Sequence, residues 1–157
     1  MTTPRKAPIY RRIRVPAPAA GAEVTKQPDG AGLWVVRSVL VPLVTSAAVA
    51  NRAVALTVAD GEGVYLRTPA GTVQAATLTR NYCAYPGSSG AVATGVTVPI
   101  AWPTNGIVLP QGHTLSTATD AIDVADAYGI MVLEVTEYPQ WMADRFTPGP
   151  PEYDYEP

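Results

Sequence analysis

Apolar and polar residues alternate in short runs through the middle of the chain. Val54, Leu56 and Val58 occupy one face of the run 52–59, while smaller residues occupy the other face. A period of two is the pattern of a half-buried β-strand. Residues 92–100 alternate in the same way, which predicts a second strand of this kind.

Other segments depart from this simple alternation. Residues 33–44 are apolar on both faces, which predicts a strand that is covered on both sides. Pro99 cannot donate a backbone hydrogen bond, so its strand is predicted at a sheet edge or a bulge. Residues 72–85 predict one long strand or two short ones. Residues 119–128 place alanine and aspartate at near-helical spacing, which predicts a turn of helix.

Turn signals separate these runs at intervals of roughly 8–12 residues, which is typical of a β-sandwich or barrel. The 16 prolines and 13 glycines also exclude a helical bundle. We therefore predict an all-β fold, an antiparallel β-sandwich of jelly-roll type with about eight strands. An immunoglobulin-like sandwich is the competing topology, but the single cysteine excludes its usual cysteine–tryptophan–cysteine spacing.

Composition divides the 157 residues into three regions. Residues 1–30 form a predicted extended basic arm, residues 31–138 the sandwich body, and residues 139–157 a proline-rich acidic tail. The arm has too little apolar surface to fold alone, so we expect it to be disordered or ordered by a partner. Five of the 11 basic residues precede Pro16, and nine of the 13 acidic residues follow Ile100.

The arm and the tail are the predicted partner-binding segments. In the arm, basic residues interleave with apolar ones, and in the tail, large apolar and aromatic residues lie on a segment too short to form its own core. A protein partner is favoured over nucleic acid because the net charge is −2. The predicted contacts in the arm are Arg5, Lys6, Ile9, Tyr10, Arg11, Arg12, Ile13 and Arg14, and those in the tail are Trp141, Met142, Phe146, Tyr153 and Tyr155.

The body carries unusually little charge. Charged residues make up 15% of the whole chain, against roughly 25% in an ordinary soluble domain. Outward sheet faces so poor in charge tend to associate, so we predict a homo-oligomer, with a trimer favoured over a dimer. No apolar run approaches the roughly 20 residues of a membrane helix, and no membrane partner is expected. The charged residues between Leu33 and Ile100 are Arg37, Arg52, Asp60, Glu62, Arg67 and Arg80.

The residues that commonly carry chemistry are few. His113 and Cys83 are the only histidine and the only cysteine, and no motif links them, so we predict no enzyme, no cofactor and no catalytic residue. Asp120, Asp123 and Asp126 would share a face of a helical turn and could hold a hard cation. A solvated loop with capping aspartates explains the same spacing, and no metal site is assigned.

Three segments of the body resemble small structural proteins of tailed-bacteriophage virions. They are residues 33–60, residues 61–80 and residues 107–138. The Leu-Pro-Gln-Gly turn at 109–112, followed by a threonine-rich strand and an apolar last strand, is similar to jelly-roll head proteins and trimeric tumour-necrosis-factor-like modules. The resemblance implies no catalytic residue. It implies a capsid accessory role, with the arm and tail bound to neighbouring proteins.

Several functions follow as expectations. The first is a decoration or cement protein on the surface of a phage head, which oligomerises there and binds the major capsid protein or other virion proteins through arm and tail. The second is a component of the head–tail connector, the tail or the base of a head fibre. The third is a carbohydrate-binding β-sandwich that uses Trp102, Tyr82 or Tyr85 as a sugar platform.

Overall fold

The computed structural model describes residues 7–30, 32–90 and 94–143. Within these residues the chain forms eleven strands and one short helix. In chain order they are β1 Ile9–Val15, β2 Thr25–Lys26, β3 Leu33–Val44, β4 Ala53–Ala59, β5 Val64–Pro69, β6 Thr79–Ala84, β7 Thr97–Ile100, β8 Ile107–Leu109, β9 Thr114–Asp120, β10 Ala127–Tyr128, β11 Met131–Tyr138 and α1 Gln140–Ala143.

The strands form two sheets. Sheet I has the order β1-β11-β3-β6-β7, with β8 and β10 also paired to β3, and sheet II has the order β2-β9-β4-β5. Four antiparallel pairs are nested along the chain and alternate between the sheets, namely β1 with β11, β2 with β9, β3 with β6, and β4 with β5. This is an eight-stranded jelly roll with three short additional strands. The predicted all-β sandwich of jelly-roll type is confirmed.

The outermost strand β7 makes sheet I a mixed sheet. It pairs in parallel with β6, and Pro99 lies opposite Cys83 in this pairing. Because β7 is an edge strand, the missing N–H of Pro99 costs no ladder bond inside the sheet, which agrees with the sequence prediction. A turn forms at residues 60–63, between β4 and β5, where the Asp60 carboxylate accepts hydrogen bonds from the backbone N–H groups of Glu62 and Gly63.

The hydrophobic core fills the space between the sheets. Alternate residues of facing strands point inward, so the period of two seen in the sequence becomes the division between core and surface. Each large apolar side chain that is buried completely contributes roughly 1.5–3 kcal/mol to folding. The largest apolar side chains of this core are Trp34, Leu43, Tyr82, Leu56, Ile100, Leu109, Leu115, Met131 and Leu133.

A β-bulge changes which residues of β3 face the core. Val36 pairs with Val135 and Ser38 with Glu134, so Arg37 is an extra residue in β3. Val36 before the bulge and Val39 after it are therefore both buried. The opposite face of β3 is not covered by the described residues, because Leu40 is 42% exposed and Val44 is 48% exposed. The expectation that β3 is covered on both sides is wrong for the single chain.

The N-terminal segment differs from the expectation that it is disordered or ordered by a partner. Residues 9–15 pair with β11 over seven register positions, and β2 pairs with β9 in the other sheet. Few side chains of β1 are buried, with Val15 the only one in the core. Backbone hydrogen bonds to the last strand therefore order a segment whose side chains could not do so. The boundaries of arm, body and tail stay a prediction.

The helical turn predicted at residues 119–128 does not form. β9 continues to Asp120, a turn follows, and residues 127–128 form β10. The Asp126 carboxylate accepts a hydrogen bond from the backbone N–H of Asp123, and the Asp123 carboxylate accepts one from the N–H of Ala125. Such local side-chain bonds compete with helical backbone bonds, which explains the loop. Between residues 72 and 85, the strand begins only at Thr79.

A buried ion pair lies at one end of the sandwich. The side chains of Arg52 and Asp126 are completely buried, and Arg52 Nε lies 2.8 Å from Asp126 Oδ2. All five N–H donors of the guanidinium have acceptors, which are the two Asp126 oxygens, the backbone carbonyls of Ala48 and Ala50, and the hydroxyl of Ser46. A buried charge is tolerated when its partner and its remaining hydrogen bonds are all present.

Four of the connections between the two sheets meet at this ion pair. Ser46 and Arg52 belong to the connection from β3 to β4, and Asp126 belongs to the connection from β9 towards β11. Gly21, between β1 and β2, donates its N–H to the Asp126 carbonyl at 2.7 Å. Gln74, between β5 and β6, exchanges two backbone hydrogen bonds with Arg52 at 2.9 Å. At this end of the sandwich, hydrogen bonds therefore link all four connections to Arg52 or Asp126.

Gln74 completes the polar network. Its side chain is buried, and its amide nitrogen donates to the backbone carbonyls of Leu43 and Leu78. Its amide oxygen accepts the hydroxyl of Tyr82 at 3.0 Å. Burial raises the pKa of Tyr82 to about 12, although the charge of Arg80 opposes that change. The phenol therefore stays a hydrogen-bond donor at neutral pH.

Replacing Asp126 by Asn should lower the free energy of unfolding by about 3–5 kcal/mol, because it leaves the buried guanidinium of Arg52 without a counter-charge. The matched control is Asp120→Asn, which removes an exposed ion pair with Arg67 and should cost about 1 kcal/mol or less. Urea denaturation of both variants measures the difference. Equal losses in the two variants would contradict the role given to the buried pair.

The same pair should make folding sensitive to acid. Burial alone would raise the pKa of Asp126, but hydrogen bonds from Arg52, the Asp123 N–H and Ser46 lower the pKa to about 2. The unfolded value is roughly 3.9, so this stabilisation is complete above it and is lost as the pH falls towards 2. The loss amounts to about 2–3 kcal/mol and should be absent from the Asp126→Asn variant.

Candidate functional site

The outer face of sheet I carries a row of mostly apolar residues that crosses all five principal strands. Strand register places Arg14 opposite Val132, Val132 opposite Leu40, Leu40 opposite Cys83, and Cys83 opposite Pro99. Leu40, at the centre of this row, is the most exposed of its apolar members that lie inside the sheet. We call these five residues the outer row. An exposed apolar row of this kind is typical of a protein–protein contact surface.

A shallow groove of about 260 Å³ lies beside the outer row. Small-molecule sites usually measure roughly 300–1,000 Å³, so this groove suits one or two side chains of a partner protein better than a cofactor. It is open to solvent and lies on a sheet face rather than at the mouth of a closed cavity. Its lining residues are Arg12, Ser38, Val39, Leu40, Cys83, Ala84, Tyr85, Val132 and Glu134.

A polar group borders the groove on the side of β1. Glu134 accepts hydrogen bonds from Arg12 at 2.9 Å and from the Ser38 hydroxyl at 2.9 Å. These bonds, together with one from Tyr10, hold the pKa of Glu134 below its usual range. The carboxylate is therefore charged and paired, and does not offer a free base. The apolar part of the face is left as the feature available for contact.

Cys83 lies in the middle of the outer row. Its side chain is half-buried, and burial raises the pKa of its thiol. A raised pKa disfavours the thiolate, which is the nucleophilic form of cysteine. Cys83 therefore behaves as a small, half-buried apolar residue of the outer row.

The predicted arm residues fall on one strand at the edge of sheet I. Ile9, Tyr10, Arg11, Arg12, Ile13 and Arg14 all belong to β1, where Tyr10, Arg12 and Arg14 share the outer face. Arg11 lies 2.9 Å from Glu137, and Arg12 lies 2.9 Å from Glu134, so both bind the adjacent strand of the same chain. Arg5 and Lys6 lie outside the described residues.

The predicted tail contacts are only partly described. Trp141 and Met142 lie in α1, directly after the last strand, and both are half-buried. Phe146, Tyr153 and Tyr155 lie outside the described residues. Their partner-binding role stays a prediction.

The sugar platform proposed from the sequence is not supported by the burial of its residues. Trp102 is 4% exposed and its indole N–H donates to the backbone carbonyl of Val36, while Tyr82 is fully buried. A sugar-binding aromatic ring must present an open face to the ligand, and these two rings lie in the core. Tyr85 is exposed, but a single ring remains of the three.

The three aspartates considered for a cation do not converge. Asp126 is bound to Arg52, Asp120 is bound to Arg67, and Asp123 accepts hydrogen bonds from Ser46 and the Ala125 N–H. Among the described residues, no group of histidine, cysteine and acidic side chains is placed to hold a metal ion.

His113 lies between the turn at residues 111–112 and the start of β9 at Thr114. Its Nδ1 is 2.9 Å from the Tyr65 hydroxyl, and the two rings meet edge to face. No nucleophile of the described chain completes a catalytic arrangement with this pair. In the described parts of the chain, no helix is long and apolar enough to cross a membrane.

The sequence did not predict two features of the structure, the buried polar network around Arg52 and Gln74 and the outer row. Arg52 and Gln74 gave no signal, because a single charged or amide residue before a strand is usually solvated. The outer row was missed as a unit, because it combines residues from five strands. The apolar outward positions of residues 33–44 were the one local signal for it.

Together the fold and this face define an all-β jelly-roll protein with an exposed, mostly apolar row on the outer face of one sheet. No family model matches the chain, and no curated protein matches it. It is similar to a chain in a solved structure described as "Structure of infectious bursal disease virus Gx strain", with 10% identity and a TM-score of 0.28. The similarity covers 94% of this chain and 46% of that one, so this chain spans less than half the length of the other. A likeness at this TM-score carries no argument about function.

Cys83 should report whether the outer row is covered. Alkylation of Cys83 at pH 7.5 should be slower than alkylation of an exposed cysteine, because the raised pKa keeps the thiol protonated. Its rate should rise with pH through a midpoint above that of an exposed cysteine, because burial raises the pKa of the thiol, and should fall as protein concentration rises and the face is covered.

The control is Val64→Cys in a Cys83→Ser chain, which places a thiol on the exposed edge strand of sheet II. Mass spectrometry of the alkylated protein measures both rates. Equal rates at every pH and concentration would contradict the assignment of this face as a contact surface.

Proposed function

We propose that this chain is a non-enzymatic structural protein of a virus particle, and more specifically a decoration protein on the head of a tailed bacteriophage. In this role it forms a homo-oligomer, with a trimer favoured over a dimer, and binds the major capsid protein. The observation that carries the proposal is the exposed outer row on sheet I. A sheet face with Leu40 at its centre and few charges around it is best explained by a protein that covers it.

The fold supports the proposal by analogy. Eight-stranded jelly rolls with two packed sheets occur in viral capsid proteins and also in lectins and cupins. Fold alone does not define function, so the exposed residues and their geometry have to distinguish among these classes. The burial of Trp102 and Tyr82 weighs against a lectin-like sugar site, and the paired aspartates weigh against a metal-dependent enzyme.

The mechanism of such a protein is mechanical. Copies that bind one another and the shell connect neighbouring capsid subunits, which raises the resistance of the shell to pressure from packaged DNA. Contact energy comes from burial of apolar area at roughly 25 cal/mol per Å², less the cost of ordering the surface on binding. Closed rotational symmetry lets each copy use the same contact surfaces and leaves none of them open.

Copy number distinguishes the head surface from the alternative locations. In particles of the virus that encodes this chain, quantitative mass spectrometry should find on the order of hundreds of copies if the protein decorates the head. A component of the head–tail connector, the tail or a fibre base should be present in about a dozen copies or fewer. Absence of the chain from purified particles would contradict both placements.

Replacing Leu40 by Asp should abolish binding to the shell and weaken self-association, because it introduces a charge that the covered face would have to desolvate. The matched control is Val64→Asp, the same kind of change at an exposed valine on sheet II. Co-sedimentation with heads that lack the protein measures binding, and thermal melting checks that both variants fold. Normal binding by Leu40→Asp, or equal loss in both variants, would contradict the proposal.

A further inference from the structure

β1 is an edge strand with one open side. It is the first strand in the order of sheet I and pairs with β11 alone. Alternate backbone N–H and C=O groups on the other side have no strand beside them in the described parts of the chain. An edge of this kind can accept a further strand from another segment or another chain, and proteins usually protect it with charge or cover it.

The charge on this edge is basic and not fully paired. Tyr10, Arg12 and Arg14 occupy the outer face of β1 at spacings of two residues. Arg12 is bound to Glu134, whereas Arg14 is exposed and makes none of the ion pairs found in the described residues. Its cross-strand neighbour Val132 offers no counter-charge. A strand added beside β1 would therefore be stabilised by acidic residues facing Arg14.

The last residues of the chain have the complementary pattern. Residues 152–156 are Glu-Tyr-Asp-Tyr-Glu, so acidic residues recur at every second position and tyrosines occupy the positions between. In an extended strand, Glu152, Asp154 and Glu156 would share one face, and the two tyrosines would share the other. This period matches that of β1, where Arg12 and Arg14 lie on the outer face, and Ile9, Arg11 and Ile13 lie on the opposite face.

We propose that the open edge of β1 binds residues 152–156 of a second copy of the chain as an added antiparallel strand. The acidic residues Glu152 and Asp154 lie beside Arg14 and Arg12, and on the other face Tyr153 lies beside Ile13 and Tyr155 beside Arg11. Opposite charges in facing strand positions stabilise such a pair, and its backbone bonds satisfy the open edge. The inference rests on the self-association in the proposed function, but it uses a different surface from the outer row.

The direction of the chain favours a second copy over the same one. β11 ends at Tyr138, and its residue Glu137 lies opposite Ile9, the first residue of β1. A tail of the same chain that returned by the direct route would therefore run parallel to β1. Antiparallel pairs are the more stable per residue, and a tail from a second copy can approach in that direction. Such head-to-tail contacts repeat around a rotation axis and can close a ring.

Charge reversal on each side tests the contact in the full-length chain. The edge variant is Arg14→Glu, which disturbs no ion pair found among the described residues. The tail variant combines Glu152→Lys, Asp154→Lys and Glu156→Lys. Each variant alone should weaken self-association about tenfold or more, measured by sedimentation equilibrium. The matched control is Arg67→Glu on β5, the edge strand of sheet II, which should self-associate as the unaltered chain does.

Mixing identifies the source of the tail. An equimolar mixture of the edge variant and the tail variant should recover part of the lost association, because a contact between one copy of each variant pairs opposite charges. In a closed trimer two of the three contacts can be of this kind. A chain that carries both sets of changes should recover it as well. Recovery in the combined chain without recovery in the mixture would overturn the assignment to a second copy and place the tail on its own chain.

Unchanged self-association in either charge variant would also overturn the inference. That result would leave the proposed function intact if Leu40→Asp still lost binding to the shell and the particles still contained the chain in many copies. Conversely, absence of the chain from particles would contradict the proposed function, while the charge variants would still report on the contact between β1 and the tail.

Discussion

The ion pair between Arg52 and Asp126 is the constraint on which the rest of the structure depends. A jelly roll passes between its sheets repeatedly, and each passage leaves backbone groups that neither sheet can satisfy. Here all four connections at one end make hydrogen bonds to this pair or to its direct neighbours. Because the pair is buried and every guanidinium donor is satisfied, a connection in the wrong place would leave a charge unpaired. The network therefore specifies how the chain folds over itself.

The sandwich buries the inner faces of its sheets and leaves the outer face of sheet I uncovered. The bulge at Arg37 shifts the alternation of β3 by one residue, so that valines on both sides of the bulge are buried in the core. The remaining apolar residues of β3 then point outward in register with Val132 and Cys83. One face of β3 thus packs in the core, and the other face leaves apolar side chains exposed to solvent. The proposed structural role follows from this division.

The edges of the sheets show the opposite chemistry. β1 carries three arginines, of which Arg11 and Arg12 bind glutamates of β11. Charge on an edge strand protects it against indiscriminate pairing, yet it also selects an acidic strand as a specific partner. In the proposed assembly, the outer face of sheet I would supply apolar contact area, whereas the charged edge of β1 would select the partner strand.

Local sequence patterns determined the fold class of this protein. Alternation in residues 52–59, the turn at Asp60, the position of Pro99 and the low charge of the body all follow from backbone stereochemistry and solvation, which act over a few neighbouring residues. Tertiary structure alone decided that residues 9–15 pair with the last strand, that Arg52 is buried, and that Trp102 lies in the core. These outcomes depend on register between strands distant in sequence, and no local pattern encodes which strands become neighbours.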